Sequence, residues 1–230
     1  MVSKSIVFYT DSRLDENIAQ AVRKQIAKSG LEIISVSLKS LDFGVNIVFD
    51  GQRSAMTMFR QILAGLEAST ADIIFQNEHD ILYHSSHYDF VPPDPTKVYY
   101  NQNLWQVRTS DGHCVYWDAK RVSQLCAYRE LLIEHYRKRI ELVEKNGFSM
   151  KTGYEPGSHN RKERVDDLQS ETWRSEFPNL DLKHGANLSP TKWSQKDFRS
   201  QRNCQNWQEA GFVEGWGQIE GRFDEFLAGL

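Results

Sequence analysis

The chain has 230 residues, of which 40% are hydrophobic and 12% are aromatic, so it is long enough to bury one sizeable core. No apolar run approaches the roughly 18 residues that a membrane-spanning helix needs, and the start of the chain lacks the pattern of a signal peptide. We therefore expect a cytoplasmic protein with no membrane partner. The net charge of −3 indicates no class of partner, and three widely separated cysteines predict neither a disulfide framework nor a cysteine zinc site.

The first part of the chain alternates between strand and helix signals. Strand signals cover residues 5–9, 31–37 and 71–75, and helical spacing of apolar residues covers 16–29 and 54–69. Such βαβ alternation predicts an α/β fold with a mostly parallel central sheet flanked by helices. Ligands bind these sheets beyond the carboxyl ends of the strands, so we expect the chemistry at the strand exits.

Those exits are residues 10–11, 37–40 and 78–80. The usual phosphate loops are missing, because no GxGxxG follows the first strand and no GxxxxGK[ST] occurs anywhere. This disfavours a dinucleotide oxidoreductase and a P-loop NTPase. Without such a loop, a diphosphate must be neutralised by basic side chains and by a divalent cation, which carboxylates at a strand exit can hold. Glu78 and Asp80 supply those carboxylates.

The triplet Glu78-His79-Asp80 follows an apolar strand in an α/β half without a glycine-rich loop. In this position it resembles the DxD motif of GT-A glycosyltransferases, whose last acid coordinates the metal that bridges the diphosphate of a nucleotide sugar. The resemblance covers about the first half of the chain and a short later segment. The triplet departs from the DxD pattern in having a glutamate in the first position and a histidine between the acids. It implies a Rossmann-like GT-A fold and a UDP- or GDP-sugar donor.

The resemblance also implies a site for Mn²⁺ or Mg²⁺, with Asp80 as a direct ligand and Glu78 as an indirect one. The later segment Asp-Leu-Lys-His-Gly, residues 181–185, is similar to the place where GT-A enzymes often return a histidine to the metal. This implies His184 as a further ligand. We expect His79 to point away from its acidic neighbours, because side chains alternate along an extended segment.

By position in the fold, the resemblance implies which residues bind the nucleotide sugar. In GT-A enzymes the loop after the first strand and the end of the second strand hold the base and the ribose. The corresponding residues here are Thr10, Asp11, Ser37, Lys39 and Arg53. Structural alternatives stay open: Thr10 and Asp11 can cap the first helix, and Arg53 can be a surface charge in the next one.

Residues 97–108 and 114–118 predict a hairpin around a turn that contains Gly112. GT-A enzymes build the sugar and acceptor pocket from such a segment, with aromatic faces for the sugar ring and amides for its hydroxyls. The implied candidates are Asn101, Asn103, Trp105 and Trp117, although the two tryptophans equally suit a core. An inverting enzyme needs a carboxylate base for the acceptor proton. Asp118 is the first choice and Glu130 the second.

We interpret the chain as a single GT-A-like domain, in which residues 1–118 form the nucleotide-sugar and metal half and 119–230 the acceptor half. Residues 123–144 predict one long helix capped by Ser123, so the second half is expected to be the more helical. Residues 147–170 are polar and predict a mobile loop, either a lid over the substrate or an ordinary surface excursion.

Three functions remain open at this point. The first is a metal-dependent transferase that acts on a hydroxyl of a glycan or small molecule. The second is a divalent-metal hydrolase that uses the cluster from Glu78 to His87, which includes His84, and the third is a non-catalytic nucleotide or nucleic-acid binding module. The basic segment 183–202, with Trp193 and Phe198 available to stack a base, keeps hydroxymethylated DNA open as an acceptor of the transferase.

Overall fold

A computed structural model describes residues 2–149, 152–158, 164–185, 187 and 191–230. The helices are α1 (Glu16–Ala27), α2 (Ala55–Ala68), α3 (Arg129–Asn146) and α4 (Phe223–Ala228). The strands are β1 (Lys4–Thr10), β2 (Glu32–Ser37), β3 (Val45–Val48), β4 (Ile73–Glu78), β5 (Ile81–Leu82), β6 (Lys97–Asn101), β7 (Leu104–Arg108), β8 (Cys114–Tyr116), β9 (Leu125–Tyr128), β10 (Gln169–Trp173), β11 (Asn179–Lys183), β12 (Gln208–Ala210), β13 (Phe212–Val213) and β14 (Gly217–Gln218). In these parts of the chain no helix is long and apolar enough to cross a membrane.

The central sheet has seven strands in the order β10-β6-β9-β4-β1-β2-β3. All neighbours in it run parallel except at β9, which is antiparallel to both β4 and β6. The predicted mixed α/β fold with a largely parallel sheet is confirmed. Thr10 pairs with Ser37, and Tyr9 pairs with Glu78. The three predicted strand exits therefore lie along one edge of this sheet.

Side chains of β1 alternate between the two faces of the central sheet. Ile6 and Phe8 pack with α1 on one face, whereas Val7 and Tyr9 pack with α2 and α3 on the other. Because α1 and α2 follow the exits of β1 and the β2–β3 region, their N-termini lie toward the edge where β1, β2 and β4 end. The positive ends of two helix dipoles at this edge favour an anionic ligand there.

The second sheet has five strands in the order β12-β8-β7-β11-β5. Its β7–β8 pair is the predicted hairpin. The predicted single strand 97–108 is divided, because β6 belongs to the central sheet and β7 to the second. The backbone N–H of Asn103 donates to the Asn101 side chain at 2.9 Å, which stabilises the turn between the two strands.

The predicted helical character of the second half is wrong. Residues 122–124 form a short 3-10 turn, Leu125–Tyr128 form β9, and α3 begins only at Arg129. Leu125, Cys126 and Ala127 are fully buried and complete the central sheet between β4 and β6. A short apolar run of this kind suits a strand as well as a helix, so periodicity alone did not separate the two.

The predicted mobile loop 147–170 lies partly outside the described residues, which omit 150, 151 and 159–163. Its described part includes a turn in which the Pro156 carbonyl accepts from the Tyr100 hydroxyl at 2.7 Å. Its last two residues already belong to β10.

Candidate metal centre at the edge of the central sheet

Three potential ligands meet at the end of β4. One ligand atom each from His79, Asp80 and His184 lies within 4.8 Å of the other two. His79 and Asp80 form the turn between β4 and β5. The pairing of β5 with β11 brings in His184, because the Leu182 N–H donates to the Asp80 carbonyl at 2.9 Å. Residues about 100 positions apart in the chain thus share one site.

The ligand atoms of the cluster lie close enough together to share one cation. The Nε2 atom of His184 is buried and has no hydrogen-bond partner among the described residues, and it lies 3.6 Å from Oδ2 of Asp80. An unpartnered buried ring nitrogen beside a carboxylate is the arrangement that a metal ion would satisfy. Two imidazoles and one carboxylate suit Mn²⁺ or Zn²⁺ better than Mg²⁺, which prefers oxygen ligands.

Neighbouring side chains orient two of the three ligands. Asp80 Oδ2 accepts from the Asn187 amide at 2.8 Å, and the Thr10 hydroxyl lies 2.7 Å from Nδ1 of His79. The prediction that His79 points away from the acids is wrong. Residues 79–80 form a turn, so the alternation of an extended strand does not apply to them. The structure makes His79 a candidate ligand that the sequence interpretation had set aside.

Glu78 lies outside the cluster. Its Oε1 accepts from the Tyr9 hydroxyl at 2.7 Å. Burial, followed by the charge of Asp80, raises the pKa of Glu78 to about 8. Burial would also raise the pKa of Asp80, but the neighbouring His184 and the charges of His79 and Lys183 outweigh it and lower that pKa. Asp80 is therefore the ionised member of the pair near neutral pH, and an indirect metal role for Glu78 stays a prediction.

The predicted nucleotide-binding residues differ in their placement. Asp11 lies between the cluster and Arg53: its Oδ2 is 2.7 Å from Arg53 Nε and its Oδ1 is 3.8 Å from His79 Nδ1. Ser37 is fully buried and donates to the Lys39 carbonyl at 2.6 Å, so it supports the loop that presents the exposed Lys39. The capping alternative for Thr10 and Asp11 is wrong, because Asp15 caps α1.

The predicted sugar-binding residues lie outside the cluster. Asn101 is fully buried, and its amide donates to Ser175 at 2.8 Å and lies 3.1 Å from His87 Nδ1. Asn103 donates to the Ser175 carbonyl at 2.9 Å. Trp105 is half-buried against Tyr116. Contacts of Asn101, Asn103 and Trp105 with a sugar stay predictions.

The second tryptophan, Trp117, is buried and stacks on Trp207 with ring centroids 5.6 Å apart. The guanidinium of Arg121 lies 4.6 Å from the Trp117 ring centroid. This placement favours the core alternative for Trp117.

The two candidate bases are not brought to the cluster. Asp118 follows β8 and lies near the start of β7. The cluster lies toward the other end of that strand, because Lys183, which precedes the candidate ligand His184, pairs with the last residue of β7. The two ends of β7 are about 13 Å apart. Asp118 accepts from the Tyr116 hydroxyl and from Asn206. Glu130 is exposed and follows β9. The last residue of β9 pairs with the first residue of β4, whereas the cluster follows the last residue of β4. Glu130 therefore lies at the opposite edge of the central sheet, about 17 Å from the cluster along β4.

A buried charged pair beside the cluster was missed at the sequence level. Asp181 Oδ2 lies 2.7 Å from Lys183 Nζ and accepts from the Gln106 amide at 3.3 Å. Burial is the main cause that raises the pKa of Asp181. The available signal was the spacing Asp-x-Lys directly before His184, because residues two apart on a strand point to the same face.

His84 and His87 do not join the cluster. His87 is fully buried, and its Nδ1 lies 3.1 Å from the amide nitrogens of both Asn101 and Asn179. His84 contacts Ser86 at 2.9 Å. The predicted cluster running from Glu78 to His87 is thus divided between two places in the fold.

No protein-family model matches the sequence, and no curated protein matches it. Among solved structures, the chain is similar to a glycosyltransferase involved in glycosylation of the major capsid of PBCV-1, at 10% identity and a TM-score of 0.44, covering 74% of this chain and 82% of that one. It is similar to a mutant of Drosophila β-1,4-galactosyltransferase 7 in complex with manganese, UDP-Gal and xylobiose, at 13% identity and a TM-score of 0.42, covering 85% and 78%.

A third similar structure is the apo form of the glycosyltransferase GlyE of Streptococcus pneumoniae, at 14% identity and a TM-score of 0.40, covering 74% of this chain and 45% of that one. Over most of its length the chain is similar in structure to these three glycosyltransferases.

Proposed function

We propose that this protein is a metal-dependent glycosyltransferase, which moves a sugar from a nucleoside diphosphate to a hydroxyl of an acceptor. The observation that carries the proposal is the position of the cluster His79, Asp80 and His184. It lies at the sheet edge where β1, β2 and β4 end, next to the ion pair of Asp11 and Arg53. A metal-ligand set beside a basic side chain and two helix N-termini suits a diphosphate.

In the proposed reaction the acceptor oxygen forms a bond to C1 of the sugar, and the bond between C1 and the diphosphate oxygen breaks. The electron pair of that bond stays on the diphosphate, and the hydroxyl proton passes to a carboxylate. A bound Mn²⁺ would supply positive charge that stabilises the departing diphosphate. His79, Asp80 and His184 would hold the ion, and Thr10 and Asn187 would keep two of these ligands in place.

On the donor side, Asp11, Lys39 and Arg53 are the proposed contacts to the nucleotide, since they surround the exits of β1 and β2. Asp118 stays the predicted base, and the acceptor would bind between it and the metal cluster. We propose a glycan or small-molecule hydroxyl as the acceptor. Hydroxymethylated DNA is the other candidate acceptor, through the basic segment that begins at Lys183.

A thermal-shift panel tests this function. UDP, GDP, ADP and CDP are each added with and without Mn²⁺, and UDP-Gal is included because a structurally similar enzyme has been solved with it. We expect one nucleoside diphosphate to raise the melting temperature only when Mn²⁺ is present, and Asp80→Asn to remove that shift. If no nucleotide stabilises the protein with Mn²⁺, the proposal is wrong.

The acceptor is tested by measuring release of the nucleoside diphosphate from its sugar donor. Glycans, small alcohols and hydroxymethylated duplex DNA are compared as acceptors. The DNA version requires binding that weakens steeply from low to physiological salt and that is lost when Lys192, Lys196, Arg199 and Arg202 are neutralised. Absence of DNA binding at low salt would leave a glycan or small-molecule hydroxyl.

The second candidate function is a zinc-dependent hydrolase. It is favoured by the donor set of two imidazoles and one carboxylate, which also suits catalytic zinc. On this structure it would use His79, Asp80 and His184 rather than His84 and His87. Tight zinc binding without any affinity for a nucleotide would favour it over the transferase.

A further inference from the structure

Lys183 is the last residue of β11 and directly precedes the candidate ligand His184. Its Nζ atom lies 2.7 Å from Oδ2 of Asp181, and the two side chains are only 10% and 5% exposed. The Gln106 amide donates to the same carboxylate oxygen at 3.3 Å, from the neighbouring strand β7. The ammonium is therefore held in one place by a buried carboxylate.

Lys183 lies beside the metal cluster because of the way its strand pairs. The residue before it, Leu182, donates its N–H to the Asp80 carbonyl at 2.9 Å, and the residue after it is the candidate ligand His184. The strand that runs alongside Asp80 therefore carries a fixed cation next to the place where a metal ion would bind.

Neutralising Asp181 does not by itself explain this arrangement. Lys183 and Gln106 both contact Oδ2, whereas the other carboxylate oxygen, Oδ1, is buried without a hydrogen-bond partner among the described residues. A lysine carries three N–H donors, and its contact with Asp181 uses one of them. The contact with Asp181 thus leaves two N–H donors of the ammonium for another acceptor.

We propose that Lys183 binds the diphosphate of the donor beside the metal cluster, with Asp181 as the residue that positions its ammonium. This inference rests on the proposed function. Transfer of the sugar leaves the diphosphate with one more negative charge than it has in the donor, and a second cation near the metal would stabilise that product. Lys183 should therefore matter for a nucleoside diphosphate and much less for a monophosphate.

The experiment compares Lys183→Met, Asp181→Asn and the double variant, in which both charges of the pair are removed. Binding of UDP and of UMP with Mn²⁺ is measured by calorimetry, or of GDP and GMP if the wild type prefers guanine. We expect Lys183→Met to weaken UDP binding about 10- to 100-fold, the range of one charge-assisted hydrogen bond, and UMP binding about threefold or less. Lys145→Met, which changes an exposed lysine on α3, serves as the matched control and should bind UDP like the wild type.

The double variant separates binding from simple charge neutralisation. If Lys183 binds the diphosphate, the double variant recovers the melting temperature that Lys183→Met loses but stays weak for UDP. If the double variant binds UDP as the wild type does, or if Lys183→Met weakens UDP and UMP equally, the inference is wrong. A wild type without any Mn²⁺-dependent nucleotide binding would instead overturn the proposed function itself, and this inference with it.

Discussion

Two histidines that lie eight positions apart in the sequence, His79 and His87, have very different surroundings in the fold. His79 lies in a turn at the sheet edge, partly exposed and close to the carboxylate of Asp80, where His184 joins it. His87, eight positions later, is fully buried among aromatic rings, and two amide groups lie against its Nδ1. The same side chain is thus a candidate metal ligand in one place and a structural acceptor in the other.

The difference teaches that a carboxylate within reach, and not the density of histidines in the sequence, marks the candidate metal site. Burial lowers the pKa of His87 to about 3, so this ring stays neutral at any ordinary pH. Its described contacts include no charged side chain. We therefore expect the buried His87 to govern stability, and His79 and His184 at the sheet edge to govern metal and nucleotide binding.

The largest effect is expected at Asp80. Asp80→Asn removes the only carboxylate of the cluster with little change in shape, so Mn²⁺-dependent nucleotide binding should fall by at least about 100-fold. Calorimetry measures the binding, and circular dichroism checks that the fold is kept. Unchanged Mn²⁺-dependent binding in a folded variant would end the metal-centre interpretation.

His87→Leu tests the other side of the comparison. It removes the acceptor for the Asn101 and Asn179 amides, each of which keeps one other partner, so we expect a loss of about 1–3 kcal/mol in the free energy of unfolding. Urea unfolding measures this loss. Affinity for Mn²⁺ should stay at the wild-type value, and a variant that is equally stable but binds Mn²⁺ poorly would reverse the assignment.

A matched pair of histidine variants sharpens the contrast. His184→Ala should lower the affinity for Mn²⁺ about 10- to 100-fold, whereas His84→Ala, whose ring contacts Phe177 and Trp216, should leave it within about twofold. Titration followed by the electron paramagnetic resonance of free Mn²⁺ measures both. The opposite order would contradict the placement of the metal site at His79, Asp80 and His184.

A further prediction concerns the pH dependence of stability. The pKa of His87 is about 3 in the folded protein and about 6.5 in the unfolded chain, so only the unfolded chain takes up this proton as the pH falls from 6.5 toward 3. Above pH 6.5 the titration of His87 does not change the free energy of unfolding. Below pH 6.5 it lowers the free energy of unfolding by up to about 1.4 kcal/mol per pH unit.

His87→Gln keeps an acceptor for the amides and removes the titration. Its free energy of unfolding should therefore fall less steeply than that of the wild type between pH 6 and 4, as measured by urea unfolding at each pH. Equal slopes would show that the folded protein protonates His87 as readily as the unfolded chain.

The central strands and their exits were predictable because their signals are local. The apolar run of β1, the capped helices α1 and α2, and the acids at the end of β4 each depend on residues within a few positions. Parallel pairing then places the ends of β1, β2 and β4 at one edge by geometry alone. The region of the site, and Asp80 within it, follow from the sequence.

Long-range pairing decided the rest. β9 is a strand because it pairs with β4 on one side and with β6 on the other, although its apolar residues fit a helix equally well. His79 faces Asp80 because the chain turns there to pair β5 with β11, and that pairing also brings Lys183 and Asp181 to the cluster. Local propensity determined the first strands and helices, whereas contacts between residues about 100 positions apart determined which side chains surround the site, since no pattern within a few residues encodes such a pairing.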